Sequence, residues 1–355
     1  MDNSHHGDVR RRLIGALGAL GGASLVPAGL RAQPKGKAPV KMRITVSTHP
    51  LLDFSVPVFV GVQQGFFERE GIVIEEIISS EGGGTTVRNI LTGGLDMGLV
   101  SFPAVVQINL AGTPLKVVEG GERIVTSHTL VVAENNSKIN SLKDAVDQGA
   151  TIGYSSPGSV TQALLLLNLQ RMGVDPAKVS TRPTGGLGAG FNLVRGGGLA
   201  VTSAIEPVLS ISGKGLRVIH KHTDLVKKFQ QMVWVVNPKF MEANPDAVAG
   251  FLRARWAAVN WIDANVEQAA ALWAQKADIA PAATLATLKT VVAAGGIKQY
   301  YGTGFDQEAI EVAVESMRSL GTLKQDVAIP WSEFLDQSKL PPEAARVDLA
   351  RFRAK

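Results

Sequence analysis

The sequence predicts an α/β protein of two lobes, each a doubly wound sheet flanked by helices. Three observations predict it. The 355 residues, 45% hydrophobic and 19% charged, suffice for two cores and are too apolar for a disordered chain. Short β-rich runs alternate with helical runs in a βαβαβ order with short connections, which calls for parallel strands and helical crossovers. A pattern of helix end, adjacent glycines and entry to a strand occurs over 91–98 and echoes over 194–200.

Residues 42–46 alternate and read as the first strand, followed by the loop Ser47, Thr48, His49, Pro50. Pro57 stands at a first helical position, Gly65 interrupts that helix, and Gly71 ends its last turn. Residues 72–78 form a second strand, 79–86 a glycine-rich loop into a helix reaching Leu91, and 97–100 a short third strand. A second set follows: a strand at 130–133, a helix over 142–146 capped by Ser141, a strand at 151–154, and a loop at 155–159 entering the apolar helix 160–172. Residues 179–182 are strand-like and lead to a glycine-rich loop. Beyond about Val233 the chain turns helical. Apolar residues from Val248 to Trp273 recur at three and four and predict one long amphipathic face, with further helices over 281–292 and 307–320. At that spacing Trp256, Trp261 and Trp273 are packing residues.

The N-terminus carries a different signal. Arg10, Arg11 and Arg12 precede a short, glycine-interrupted apolar stretch, with small-residue cleavage options after Ala28 or Ala32. Residues 1–32 are therefore expected to be an export signal of twin-arginine-like form, although Val9 stands where Ser or Thr is usual. They hold four Arg and two Asp, so the net charge of +5 becomes +3 without them. No basic stripe with interleaved aromatics follows, and nucleic-acid binding is not expected. The chain has no cysteine, which excludes disulfide scaffolds, thiol catalysis and a lipid-anchored N-terminal cysteine.

Enzyme signatures fail in turn. There is no Walker A sequence, and the glycine run at 185–190 lacks the dinucleotide spacing. No second glycine completes a nucleophile elbow around Ser155 and Ser156. His220 and His222, two apart in a Lys-rich stretch, read as a solvated loop and not as a metal site. No catalytic residue, metal or cofactor is expected. Binding features are better represented. Predicted strand ends open onto Ser, Thr or Gly and then a helix N-terminus at Thr48, at Gly84 and Thr85, at Ser101, at Ser156, Gly158 and Ser159, and at Thr184 and Gly186. Each offers free N–H groups and the positive end of a helix dipole. Taken singly they are caps and turns; together, at matching ends of two similar lobes, they predict a shared cleft.

The run Gln63, Gln64, Gly65, Phe66, Phe67, then Gly71 and the strand after it, resembles a signature of the periplasmic solute-binding proteins of the nitrate/sulfonate/taurine class, which serve ABC importers. Gly82 to Gly84, the stretch from Leu91 to Gly98, Ile139 to Asp144, and Asn244 with Pro245 extend the resemblance over nearly all of the chain beyond the export signal. The second lobe departs from it: Gly197, Gly198, Leu199, Ala200 stand where the family repeats Gly-x-x-Asp-Ala. The lack of cysteine argues against a related branch that makes a thiamine pyrimidine precursor.

The resemblance implies a type II periplasmic-binding-protein fold. Lobe I would comprise 41–127 and 232–355, and lobe II 128–231, with crossings near 126–130 and between His220 and Trp234. The lobes would close on a small anionic or zwitterionic solute, sulfonate-, taurine- or nitrate-like or a carboxylate, and deliver it to an ABC permease with its ATPase. The protein would act as a periplasmic monomer, not lipid-anchored and not an enzyme; the alternative is an enzyme or ligand sensor on the same fold. The expected cleft residues are Thr48, His49, Gly84, Thr85, Ser101, Ser127, Ser156, Gly158, Ser159, Thr184, Gly186 and Glu206, with charge added by His49 or Arg182. Glu206, facing the cleft, would favour an amine or zwitterion; on the surface it would be an ordinary carboxylate.

Overall fold

Alternation and β-branching place ten strands among the described residues, in two sheets built to one plan. A computed structural model describes residues 38–80, 83–92, 94–113, 115–319 and 321–350, so the expected export signal at 1–32 lies outside the described residues. The strands are β1 (Val40–Ser47), β2 (Ile72–Ser80), β3 (Met97–Ser101), β4 (Lys116–Gly120), β5 (His128–Ala133), β6 (Ile152–Tyr154), β7 (Thr181–Pro183), β8 (Val201–Ile205), β9 (Leu216–Lys221) and β10 (Met232–Val236). The first sheet runs β2-β1-β3-β10-β4 and the second β7-β6-β8-β5-β9.

In each sheet three neighbouring strands are parallel, the fourth is antiparallel, and the fifth closes the edge. The antiparallel strand always arrives from the other half. β5 follows β4 and inserts between β8 and β9; β10 follows β9 and inserts between β3 and β4. The chain thus crosses over 121–127 and returns over 222–231, and Thr129 and Leu130, expected in the crossing, already belong to the second ladder.

Both faces of the first sheet are covered at its centre, which explains why β3 and β10 are buried at every residue, whereas β2 at the edge keeps exposed residues. Helix Gly83–Thr92 lies so close to β3 that a Cβ on Gly98 would stand 2.5 Å from Ile90 Cδ1 and 2.7 Å from Thr45 Cγ2. β5 divides its residues by the period of two: Leu130 and Val132 enter a core with Ile152, Leu165 and Leu169, whereas Val131 enters the large core shared with the first sheet.

Local signals set the helix ends. Pro57 and Pro281 sit in the first turns of Val56–Gln63 and Pro281–Ala293, and Ser141 accepts from Asp144 N at the start of Leu142–Asp147. The single long C-terminal helix is corrected to two, Pro245–Ala264 and Val266–Ala277. Asn265 breaks the run at φ −141° and turns its amide back to Trp261 O, while the apolar spacing continues past the break. Trp273 is buried as expected, and its Nε1 also donates to Pro50 O in the loop after β1.

The reading of His220 and His222 as a solvated loop is likewise corrected. β9 extends to Lys221 and packs near helix Val160–Arg171, so His220 Nε2 meets Asn168 Oδ1 at 2.8 Å. His222 is buried with neither ring nitrogen partnered.

Candidate functional site

The parallel strands of both sheets point their carboxyl ends at one seam, the region where α/β sheets hold ligands. On the first-sheet side, β1 ends at Ser47 and Thr48 turns the chain in the left-handed region at φ 53°. Thr48 N donates to Ser80 O, Leu52 N to Thr48 O, and Trp273 Nε1 to Pro50 O at 2.9 Å, so this loop is held at both ends. β3 ends at Ser101. On the second-sheet side, Ser159 caps helix Val160–Arg171 by accepting from Gln162 N, and Gly186 precedes helix Leu187–Arg195. The halves touch directly: Ser101 Oγ donates to Gly158 O at 2.7 Å. Gly158 has φ 74°, and a Cβ there would meet Ala104 Cβ at 3.4 Å, so the approach suits glycine.

Two cavities flank the first crossing. The larger, about 740 Å³, is lined by Ser127, Thr129, Glu206, Lys221, Lys227 and Thr290 among others. The smaller, about 220 Å³, lies at the strand ends and is lined by Thr48, Phe54, His128, Ser159, Gly186 and Ile205 among others. The division follows from extended backbone: Ser127 and Thr129 turn to one side and His128 to the other. The larger cavity carries both signs of charge. No Lys, Arg, Asp or Glu lines the smaller one among the described residues.

Of the expected site residues, Thr48, Ser159 and Gly186 meet at the smaller cavity, and Ser127 and Glu206 at the larger. Glu206 accepts from Ser210 N at 3.0 Å, and the Ser127 hydroxyl is buried without a partner. Ser101 and Gly158 form the bridge itself. Ser156 Oγ is buried and unpartnered beside it in sequence. Thr184 is a turn residue, its hydroxyl donating to Tyr154 O or Gly186 O. Gly84 and Thr85 lie in the first turn of helix Gly83–Thr92, where Arg88 donates to Thr85 Oγ1. His49 Nδ1 has no partner; burial, with help from Lys276, pushes the imidazole down to about 4. Arg182 donates to Gly198 O and is exposed.

Sequence reasoning missed His128, Thr129, Lys221 and Lys227. A period-two reading of 127–129 would have flagged the first two, because Ser127 was already a candidate. It also missed a buried ionisable cluster under the loop after β1. Asp53, Glu119, Glu122 and Arg255 are all inaccessible to solvent or nearly so. Arg255 Nη1 lies 3.0 Å from Glu119 Oε1 and its Nη2 donates to Tyr301 O; the Tyr301 hydroxyl donates to Asp53 O. Burial pushes Asp53 and Glu119 up to about 7 and Glu122 up to about 8, against the opposing pull of Arg255 on the two glutamates. Glu119 lies one residue before the end of β4 and Glu122 one residue into the crossing, so the cluster joins the site loop to the hinge.

No group of three or more His, Asp or Glu among the described residues is placed to hold a metal ion. No described helix is long and apolar enough to cross a membrane.

The family model described as NMT1/THI5 like matches residues 54–269. A formylaminopyrimidine-binding protein of Halalkalibacterium halodurans is 24% identical over 216 residues, covering 59% of this chain and 63% of that relative's length. The alkanesulfonate-binding protein SsuA of Xanthomonas axonopodis pv. citri, solved with MOPS bound, superposes with a TM-score of 0.69 at 13% identity, over 85% of this chain and 100% of that one. The periplasmic nitrate-binding protein NrtA of Synechocystis PCC 6803 does so with 0.64 at 15% identity, over 81% and 83%. These likenesses establish the expected periplasmic-binding-protein fold.

Proposed function

The chain belongs to the NMT1/THI5-like family, and from that premise we propose that it captures a small organic solute between two closing lobes and delivers it to an ABC permease and its ATPase, with no chemical step of its own. The observation that carries the reading is the seam where Ser101 Oγ meets Gly158 O, flanked by two cavities at the crossing. A contact available only when the halves meet biases the population toward the closed form, and a bound solute adds to that bias. The moving bodies are 41–127 with 232–355, and 128–231.

The solute is anionic or zwitterionic, and the larger cavity is its compartment. Glu206 there suits an amine, Lys221 and Lys227 suit an acid group, and the Ser127 and Thr129 hydroxyls lack partners inside the protein. Its volume falls in the ordinary range for small-molecule sites. Residues 1–32 direct export, and the protein works in the periplasm as a monomer.

A thermal-shift screen of residues 33–355 against taurine, alkanesulfonates, nitrate, carboxylates, amino acids and pyrimidines tests this. A ligand that binds only the folded form raises Tm with its concentration. Capture predicts a rise with one chemical class and recovery of the solute unchanged. Conversion of the solute would replace capture by an enzyme on this fold, and no rise with any class would remove the solute-capture reading.

A further inference from the structure

The two crossings pair with each other. Gln231 N donates to Glu122 O at 2.9 Å, Phe229 N to Arg123 O at 3.1 Å and Val125 N to Lys227 O at 2.9 Å. Ile124 and Lys228 form an antiparallel bridge, and Gln231 Nε2 donates to Ile124 O at 2.6 Å. The crossings are thus one antiparallel ribbon, and both covalent connections between the halves run through it. Glu122 belongs to the ribbon by its backbone, while its side chain is fully buried. Neither of its carboxyl oxygens has a hydrogen-bond partner.

Charged and titratable groups face Glu122 from several elements. Asp53 comes from the loop after β1, Glu119 from β4, Arg255 from helix Pro245–Ala264, and Tyr300 and Tyr301 from helix Ile297–Tyr301. Arg123, next in the crossing, interacts with Asp306 and Glu119. Arg255 Nη1 stands 3.0 Å from Glu119 Oε1, and Arg123 Nε donates to Gln299 O, so Glu122 must share Arg255. Ionising a second carboxyl in this dry interior is costly, and burial pushes Glu122 up to about 8. Burial also keeps both phenols protonated.

We infer, on the reading of capture by closure, that Glu122 is a proton-linked switch: it keeps its proton while the halves are shut and releases it to water as they part. Asp53 lies just past the loop that lines the seam, and Glu122 lies in the ribbon that bends. Parting of the halves therefore shifts one side of the cluster against the other and admits water. A hydrated carboxyl returns toward ordinary carboxylate behaviour and loses the proton. Closure then takes up one proton, so the closed form is favoured at low pH and weakened as pH rises toward 8.

A spin-label pair at Lys143→Cys and Glu267→Cys, two exposed positions on opposite halves, reads closure without any ligand. Distance distributions are recorded between about pH 6 and about pH 8. The expected result is a population at the separation found in this structure that falls, relative to longer or shorter ones, by up to about tenfold per pH unit. In Glu122→Gln, which mimics the protonated acid, the change shrinks below about twofold per unit. Asp53→Asn moves the midpoint to lower pH, because it removes a carboxyl that raises Glu122. It decides the matter should Glu122→Gln fail to fold. Distances indifferent to pH in the parent, or the parent's pH dependence retained in folded Glu122→Gln, would overturn the inference. The thermal-shift panel, run at both ends of the pH range, separates this from solute capture. Distances indifferent to pH with a probe that raises Tm would remove the switch and leave capture standing. Distances that follow pH while no probe raises Tm would leave the switch and remove capture.

Discussion

Ser101 Oγ donates to Gly158 O at 2.7 Å, and this bond joins the end of β3 in one half to the loop before helix Val160–Arg171 in the other. Both partners come from strand-end loops predicted to face a cleft. Gly158 N is itself held by Gln162 Oε1 at 2.8 Å, a bond within the second half at the residue whose carbonyl accepts. Further contacts follow on the same side: Arg171 pairs with Glu315 and Gln170 Nε2 donates to Ser319 Oγ. These are exposed and contribute little individually.

Ser101→Ala removes the bridge and leaves the backbone intact. Its loss costs about 1 kcal/mol of the closed form, roughly fivefold in solute affinity. Titration calorimetry of the variant with the solute found in the thermal screen checks this. Unaltered affinity would show that the bridge does not contribute to closure.

Glu122→Gln reports on the buried cluster through pH. The folded Glu122 titrates near 8, against an unfolded value near 4.5. Below 4.5 both states hold the proton and the group costs nothing; as pH rises toward 8 the unfolded state releases it first, and stability is lost. Glutamine does not ionise. The variant therefore gains in Tm relative to the parent between pH 5 and pH 8. A Tm difference that stays flat or reverses over that window would mean that Glu122 is ionised in the fold, held by Arg255.

His222→Leu tests the opposite sign. The ring is buried and unpartnered, and burial, with His220 and His128 nearby, keeps its pKa well below 6.5. Stability from the neutral ring is present above 6.5 and is lost as pH falls below it. Leucine removes both the unsatisfied nitrogens, which cost about 1–3 kcal/mol, and the proton linkage. The variant gains over the parent, and gains more at pH 5 than at pH 8; a loss at both pH values would reveal a hydrogen-bond partner for the ring.

Trp273→Phe keeps an aromatic ring in the helical core and removes the donor to Pro50 O. The expected cost is about 1 kcal/mol in stability, with faster amide exchange confined to residues 48–55. Uniformly raised exchange would instead indicate a packing defect.

Local signals were legible because they act over a few residues. Pro57, Pro281 and Ser141 each marked a helix start that the fold adopts. β1, β2, β3, β5, β6 and β7 could be placed, but β4, β9 and β10 were missed, and with them the insertion of β10 between β3 and β4, since that pairing is decided after more than a hundred intervening residues. Ser127 was found and His128 was not, because a hydroxyl before a strand looks like a cap whereas a histidine at its start looks like core. Asp53, Glu119, Glu122 and Arg255 are too far apart in sequence to announce a cluster. Asn265 ended a helix within an unbroken apolar rhythm, and its side chain's return to Trp261 O is the local detail that decided it.

Capture by closure requires that a bound solute bring the two halves together. The chain has no native cysteine, so Lys143→Cys on the second-sheet half and Glu267→Cys on the first can carry spin labels at two exposed positions and nowhere else. The distance between them, measured by pulsed electron resonance with and without the solute that raises Tm, is the most direct test. Capture by closure predicts a change to one narrower distance distribution on binding, weakened in Ser101→Ala. A distribution that is the same with and without bound solute would contradict capture by closure.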